Sequence, residues 1–184
     1  DTPPPSRKEV LDAMRPGDVL THCFRAFPNS PVRRDNSVRK EIIEAHERGI
    51  VFDIGHGAGG FAFHTAKAML AEGIFPDVIS SDVHALCVDG PAHDVLAVMS
   101  KFIALGMPLT EVIKATTINP AKTIKRPELG SLAVGGIGDA AILQMVNEPY
   151  QHLDCIGATL NTDSRLECKG TIIAGQLWSS HLSK

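Results

Sequence analysis

No run of apolar residues in the 184-residue sequence approaches the roughly 20 that a helix needs to cross a bilayer, so no membrane span is expected. No block of basic residues and no acidic tail is present, and the formal net charge is −3, which leaves nothing to attract nucleic acid or a basic partner. No secretory signal pattern opens the chain. The four cysteines, Cys23, Cys87, Cys155 and Cys168, form no C-x-x-C pair and are irregularly spaced. A zinc–thiolate site is therefore unsupported, and reduced thiols in a cytoplasmic protein are expected. Internal repeats and low-complexity tracts are absent too. The remaining composition is that of an ordinary globular domain, 43% hydrophobic and 21% charged, with enough chain to bury a sizeable core. The opening Asp1-Thr2-Pro3-Pro4-Pro5 reads as a loop, which raises the expectation of further chain upstream.

Periodicity organises the first two-thirds. Residues 8–14 have helical spacing, with Val10, Leu11 and Met14 on one side, and Arg15-Pro16-Gly17-Asp18 makes a turn. Apolar strands are expected at 19–23, 50–54 and 77–81, and helices at 38–48, 62–72, from Pro91 to 105, and at 109–116. Asn119-Pro120 opens one more helical turn. Strand and helix alternate, which implies parallel strands covered by helices. After Gly130 the pattern changes to short strand candidates at 140–145, 155–160, 165–168 and 171–174, separated by turns.

Each of the three parallel strands ends in ionisable residues: Thr21-His22-Cys23, Gly55-His56-Gly57, and Asp82-Val83-His84. In parallel α/β folds the carboxyl ends of the strands are where active sites are built. Side chains alternate along a strand, so Leu20 and His22 share a face, as do Phe52, Ile54 and His56, and Val78, Ser80 and Asp82. If those faces point into a barrel, His22, His56 and Asp82 converge at its mouth. Two imidazoles and a carboxylate are the ligand and base types of a hydrolytic metal centre. A lone histidine after a strand is more often structural; three at successive strand ends favour function. The turn Gly57-Ala58-Gly59-Gly60 precedes a helix and could offer N–H groups to an anion, though a tight turn also needs glycine. Arg25 could meet a substrate carboxylate, and His84 could line the mouth or cap its own loop. His46 and His64 read as surface positions, His93 as incidental, and His152 and His181 as unpartnered.

Several segments resemble the amidohydrolase superfamily. Gly17-Asp18-Val19-Leu20-Thr21-His22-Cys23-Phe24 is similar to the sixth barrel strand of that superfamily, Asp53-Ile54-Gly55-His56-Gly57 to the seventh, and Ile79-Ser80-Ser81-Asp82-Val83-His84 to the eighth. Thr116-Thr117-Ile118-Asn119-Pro120-Ala121 resembles the T-x-N-P-A segment that follows the barrel, and Gly130-Ser131-Leu132 through Gly138-Asp139-Ala140 the entry into the small β domain. Deacetylase-like and dihydroorotase-like members are the subgroup most resembled. The superfamily's His-x-His pair, bridging lysine and fifth-strand histidine have no counterpart here; none of the eight histidines forms a His-x-His.

The resemblance implies a partial (β/α)8 TIM barrel (strands six to eight with their helices) over 1–129 and part of a β-sandwich domain over 130–184. It implies His22 as a metal ligand and Asp82 as both metal ligand and general base, with a divalent metal, zinc first, as cofactor. His56, Gly57, Gly59, Arg25 and His84 are the expected substrate-binding residues. The implied activity is hydrolysis of an amide or ester bond of a small molecule, an acylated carboxylic acid, by metal-activated water. The alternatives are a catalytically incomplete fragment, a deaminase on the same scaffold, and a flavodoxin-like domain. Open strand edges lead us to expect a homo-oligomer, or association with the missing N-terminal part.

Overall fold

The structure is a computed structural model that describes residues 4–178, so Asp1 to Pro3 and His181 lie outside the described residues. Helix α1 (Arg7–Ala13) starts at a capping box. Ser6 Oγ accepts the Glu9 N–H at 3.3 Å, and the Glu9 carboxylate accepts the Ser6 N–H at 2.7 Å. After the expected turn, β1 (Val19–Leu20) pairs in parallel with β2 (Val51–Phe52) across helix α2 (Lys40–Glu47). Helix α3 (Phe63–Ala71) leads to a single parallel bridge between Asp53 and Val78. Helices α4 (Val95–Ala104), α5 (Leu109–Thr116) and α6 (Ile118–Thr123) follow.

The parallel strand–helix order is as expected, but all three strands are shorter. The reason lies in the backbone. His22 (φ 57°), Gly55 (φ 46°) and Asp82 (φ 46°) occupy the left-handed region, which ends an extended path. Alignment nevertheless continues past the ladders. Ile54 N donates to Val78 O at 3.0 Å, His56 N to Ser80 O at 3.2 Å, and Gly57 N to Ser81 O at 3.0 Å. Side chains reinforce it: Thr21 Oγ1 donates to the Asp53 carboxylate at 2.7 Å, and Asn119 Nδ2 donates to Asp77 O at 3.0 Å. Asn119, the polar residue of the T-x-N-P-A segment, thus holds the third strand position in place.

Helix α4 does not begin at Pro91. Asp94 caps it, accepting the Ala97 N–H at 2.7 Å, because His93 (φ 58°) interrupts helical geometry just before. Beneath the helices Phe24, Phe61 and Phe102 form an edge-to-face cluster with centroids 5.5–5.8 Å apart, continuous with Phe52, Ile54, Met69 and Val98.

Beyond a 3-10 turn (Pro127–Gly130) the strands among the described residues pair antiparallel. Strands β3 (Ala140–Val146), β6 (Arg165–Ile173) and β7 (Gln176–Trp178) form one sheet in the order β3-β6-β7. Strands β4 (Tyr150–Leu153) and β5 (Thr159–Thr162) form a hairpin. The two strands expected at 165–168 and 171–174 are one, with an irregularity opposite at Ile142/Leu143 absorbing the register shift. No strand spans 155–160. Asp154 Oδ1 instead takes the Ile156 and Ala158 N–H groups at 3.0 and 2.8 Å, which makes a turn, and the strand starts only at Thr159. This segment is anchored to the α/β part at two places. Leu166 enters the core with its N–H on Ser100 Oγ at 2.9 Å, and the Asp154 carboxylate accepts the Phe63 N–H at 2.9 Å. Among the described residues no helix is long and apolar enough to cross a membrane, and all four cysteines are free.

Candidate active site

The turn after β1 carries His22, half-buried, with Nδ1 2.5 Å from Gly55 O. A carbonyl oxygen only accepts, so Nδ1 carries the proton and Nε2 keeps its lone pair, the arrangement that a metal-ligating histidine requires. Asp82, exposed, lies at the end of the third strand position, against Gly57. Both side chains occupy space that a side chain on the 55–60 turn would otherwise take. A Cβ on Gly60 would stand 2.5 Å from His22 Nδ1, and a Cβ on Gly57 would stand 2.5 Å from Asp82 Oδ2. His22 and Asp82 are therefore brought onto one glycine turn from the strand ends on either side of β2. Their donor types suit a divalent cation. Among the described residues, however, no group of three or more His, Cys, Asp or Glu is placed to hold one.

His56 does not converge with them. It is fully buried; its Nδ1 donates to Gly57 O at 3.0 Å and its Nε2 accepts from Lys101 Nζ at 2.8 Å. Its ring stacks on Phe61 at 4.9 Å. The two-residue alternation that would bring it to the barrel mouth lapses because Gly55 and Gly57 (both φ 46°) are left-handed on either side of it. Burial, and then the Lys101 charge, push the His56 pKa down to about 3, and burial pushes Lys101 down to about 8. Lys101 escaped the sequence reading, although it is the one charged residue in α4, VLAVMSKFIA.

Two N–H groups of the glycine turn, and the first of α3, are engaged within the chain rather than free for an anion. Those of Gly57 and Gly60 donate to Ser81 O (3.0 Å) and His56 O (2.9 Å), and the first N–H of α3, that of Phe63, is taken by Asp154. Gly59 is exposed and has open space where a Cβ would stand. Arg25 shares with His22 a cavity of about 250 Å³, into which Arg7, Thr21 and Leu20 also face. Burial and the neighbouring Arg39 and Arg25 lower the Arg7 pKa. Among the described residues none of these three arginines forms a salt bridge. His84 is exposed, and its Nδ1 accepts the Leu86 N–H at 3.2 Å within its own loop. His46 and His64 are half-buried rather than on the surface, packed on Phe52 and Phe27.

His152 is buried at β4, its Nε2 without a partner among the described residues, and burial lowers its pKa to about 4. Together with His56 it sets a pH dependence. Both folded values lie below the ordinary 6.5, so as the pH falls the unfolded chain takes up protons first. The stability from keeping both rings neutral is complete above about pH 6.5 and falls progressively towards pH 4, by up to about 1.4 kcal/mol per group per pH unit. Lys101 acts over a different window, adding stability as the pH rises from its folded value of about 8 to its ordinary 10.5. Thermal unfolding at about pH 7 and about pH 5 should show a marked loss at the lower pH, smaller in His152→Gln. A profile that is flat, or unchanged in the variant, would contradict the burial argument.

Comparison with known proteins gives this geometry its family. The model of the amidohydrolase family matches residues 34–178. The chain belongs to that family. Its amidohydrolase relatives include a deacetylase of Brucella anthropi, 33% identical over 174 residues that cover 95% of this chain and 43% of the relative. A solved structure described as an adenine deaminase superposes with a TM-score of 0.93 at 32% identity, covering 98% of this chain and 50% of that one. A second, described as a dihydroorotase, superposes with a TM-score of 0.85 at 32% identity over 96% and 48%. The chain thus spans about half the length of the amidohydrolases it matches.

Proposed function

We propose that the chain forms the C-terminal part of a metal-dependent amidohydrolase that cleaves the amide or ester bond of a small acylated carboxylic acid. In this reading residues 1–129 supply the last three strand–helix units of a (β/α)8 barrel, and 130–184 part of a β-sandwich domain. The rest of the barrel would cover the open edge of β1. The observation that supports the proposal is the placement of His22 and Asp82 on one glycine turn, with arginines in the cavity beside His22.

His22, through Nε2, and Asp82 are assigned as this chain's share of the ligands for a divalent ion, zinc first, the others coming from segments outside it. When bound, the ion would acidify the attacking water and polarise the acyl carbonyl. The Asp82 carboxylate accepts the proton of that water and returns it to the departing nitrogen or oxygen. Arg25, with Arg7 beside it, binds the substrate carboxylate. Gly57 shapes the turn, while Gly59 and His84 border the mouth. His56, buried with both nitrogens engaged, is left out of substrate contact.

A substrate panel on the full-length protein tests this. N-acyl and O-acyl acids should be hydrolysed in preference to their neutral amide analogues. Arg25→Ala should raise KM for the acids about 10- to 100-fold, the scale of a charge-assisted hydrogen bond, and leave the neutral compounds unchanged. Equal effects on both would remove Arg25 from the site. The superposition on an adenine deaminase favours a second reading, deamination of a nucleobase. Ammonia release from adenine-type bases, with no acyl hydrolysis, would establish it instead.

A further inference from the structure

We propose that Lys101 is a positioning residue, which acts through His56 to hold the glycine turn carrying His22 and Asp82. Lys101 sits on α4 at 1% exposure, and among the described residues no carboxylate pairs with it within salt-bridge distance. Its Nζ donates to Pro91 O at 2.6 Å and to His56 Nε2 at 2.8 Å, and lies 5.8 Å from the centre of the Phe61 ring. An ammonium buried without a counter-charge is costly, and a methionine of similar length would avoid that cost while leaving Pro91 O and His56 Nε2 without their donor. What the lysine supplies here is its pair of hydrogen bonds, one tying α4 to Pro91 O and one fixing His56 Nε2.

A donor fixed at Nε2 forces the proton of His56 onto Nδ1, and that proton is held by Gly57 O at 3.0 Å. The next residues along the turn are those against which the site packs: Gly55 O takes His22 Nδ1–H, and Gly57 lies under the Asp82 carboxylate. Residues 55–57 are thus clamped from the core side by His56 and Lys101, and from the open side they carry His22 and Asp82. Without the lysine, His56 can place its proton on either nitrogen, the bond to Gly57 O is no longer enforced, and the turn that sets the separation of His22 and Asp82 loosens.

The catalytic consequence rests on the proposed function; the geometric one does not, and the experiment separates them. Lys101→Met in the full-length protein, labelled with 15N-histidine, is compared with wild type. In wild type the His56 resonances, assigned with His56→Gln, should show Nδ1 protonated and Nε2 bare. In Lys101→Met the Nε2-protonated form should appear and the His22 ring resonances should shift. With acyl-acid substrate kcat should fall about 10- to 100-fold at little change in KM, the range typical when a supporting partner of a metal ligand is lost. An unaltered His56 tautomer with unshifted His22 resonances would overturn the proposal, whatever the activity. Shifted resonances with kcat unchanged would also overturn it, because the clamp would then not serve the site. If wild type hydrolyses no acyl compound, the functional reading falls and the resonances alone decide whether Lys101 holds the turn.

Discussion

Gly60→Ala is expected to destabilise the protein by about 3 kcal/mol, lowering its melting temperature by about 6–12 °C for a domain of this size, whereas Gly59→Ala should shift it by less than about 2 °C. The two positions are adjacent, and the same methyl group is added at each. At Gly59 the new Cβ meets nothing within 4 Å. At Gly60 it would fall deep inside the contact radius of Gly55 O, 3.0 Å from His56 O and 2.5 Å from His22 Nδ1. Two of these neighbours are backbone carbonyls, and the third is an imidazole held by its own hydrogen bond, so no flexible side chain can move aside. Relief requires the turn to open, and an open turn releases the contact between His22 and Gly55. Gly60→Ala should therefore lose activity as well as stability. Thermal unfolding of the two variants side by side checks this; equal melting temperatures would show that the turn is looser than its geometry states.

Much of this architecture was legible in the sequence, because apolar periodicity and its punctuation are local. The helices expected at 62–72 and 109–116 are found at Phe63–Ala71 and Leu109–Thr116, with Ala66 and Met69, and Val112 and Ala115, on their buried faces. What the sequence hid is tertiary. Asp154 looks like a loop acid, but it is buried at 3% exposure because it caps both its own turn and a helix start 91 residues away. The strand Tyr150–Leu153 is too short for an alternating pattern to stand out, and its membership depends on pairing with Thr159–Thr162.

At the site the limit was backbone handedness. Parity arguments assume an unbroken extended chain, and His22, Gly55, Gly57 and Asp82 all have positive φ. His22 and Asp82 were still brought to one turn, since each terminates its strand position, but His56 was turned into the core. The glycine turn read as an anion cradle from its composition. In the folded chain the Gly57 N–H bonds to Ser81 O of the third strand position and the Gly60 N–H to His56 O within the turn, and glycine is needed at 57 and 60 because Asp82 and His22 take the room of a side chain. Lys101 was concealed by its setting, a charged residue within an apolar helix face whose partner is 45 residues upstream.

Asp82→Asn is the substitution with the largest expected effect on chemistry. Asparagine has nearly the shape of aspartate and is among the residues that best tolerate a left-handed backbone, so at φ 46° the turn should keep its conformation and the protein its stability. What changes is that an amide cannot accept a proton from water. Loss of a positioned general base lowers turnover by about 10²- to 10⁴-fold. His22→Ala removes a ligand rather than a base, so it should cost bound metal together with rate. The decisive measurement is kcat of Asp82→Asn against wild type, on the full-length protein with an acyl-acid substrate and at matched metal content. The account predicts a fall of about 10³-fold at little change in KM and melting temperature. Turnover near wild type with the metal in place would contradict it, because Asp82 would then not be the base and the site would have to be built elsewhere.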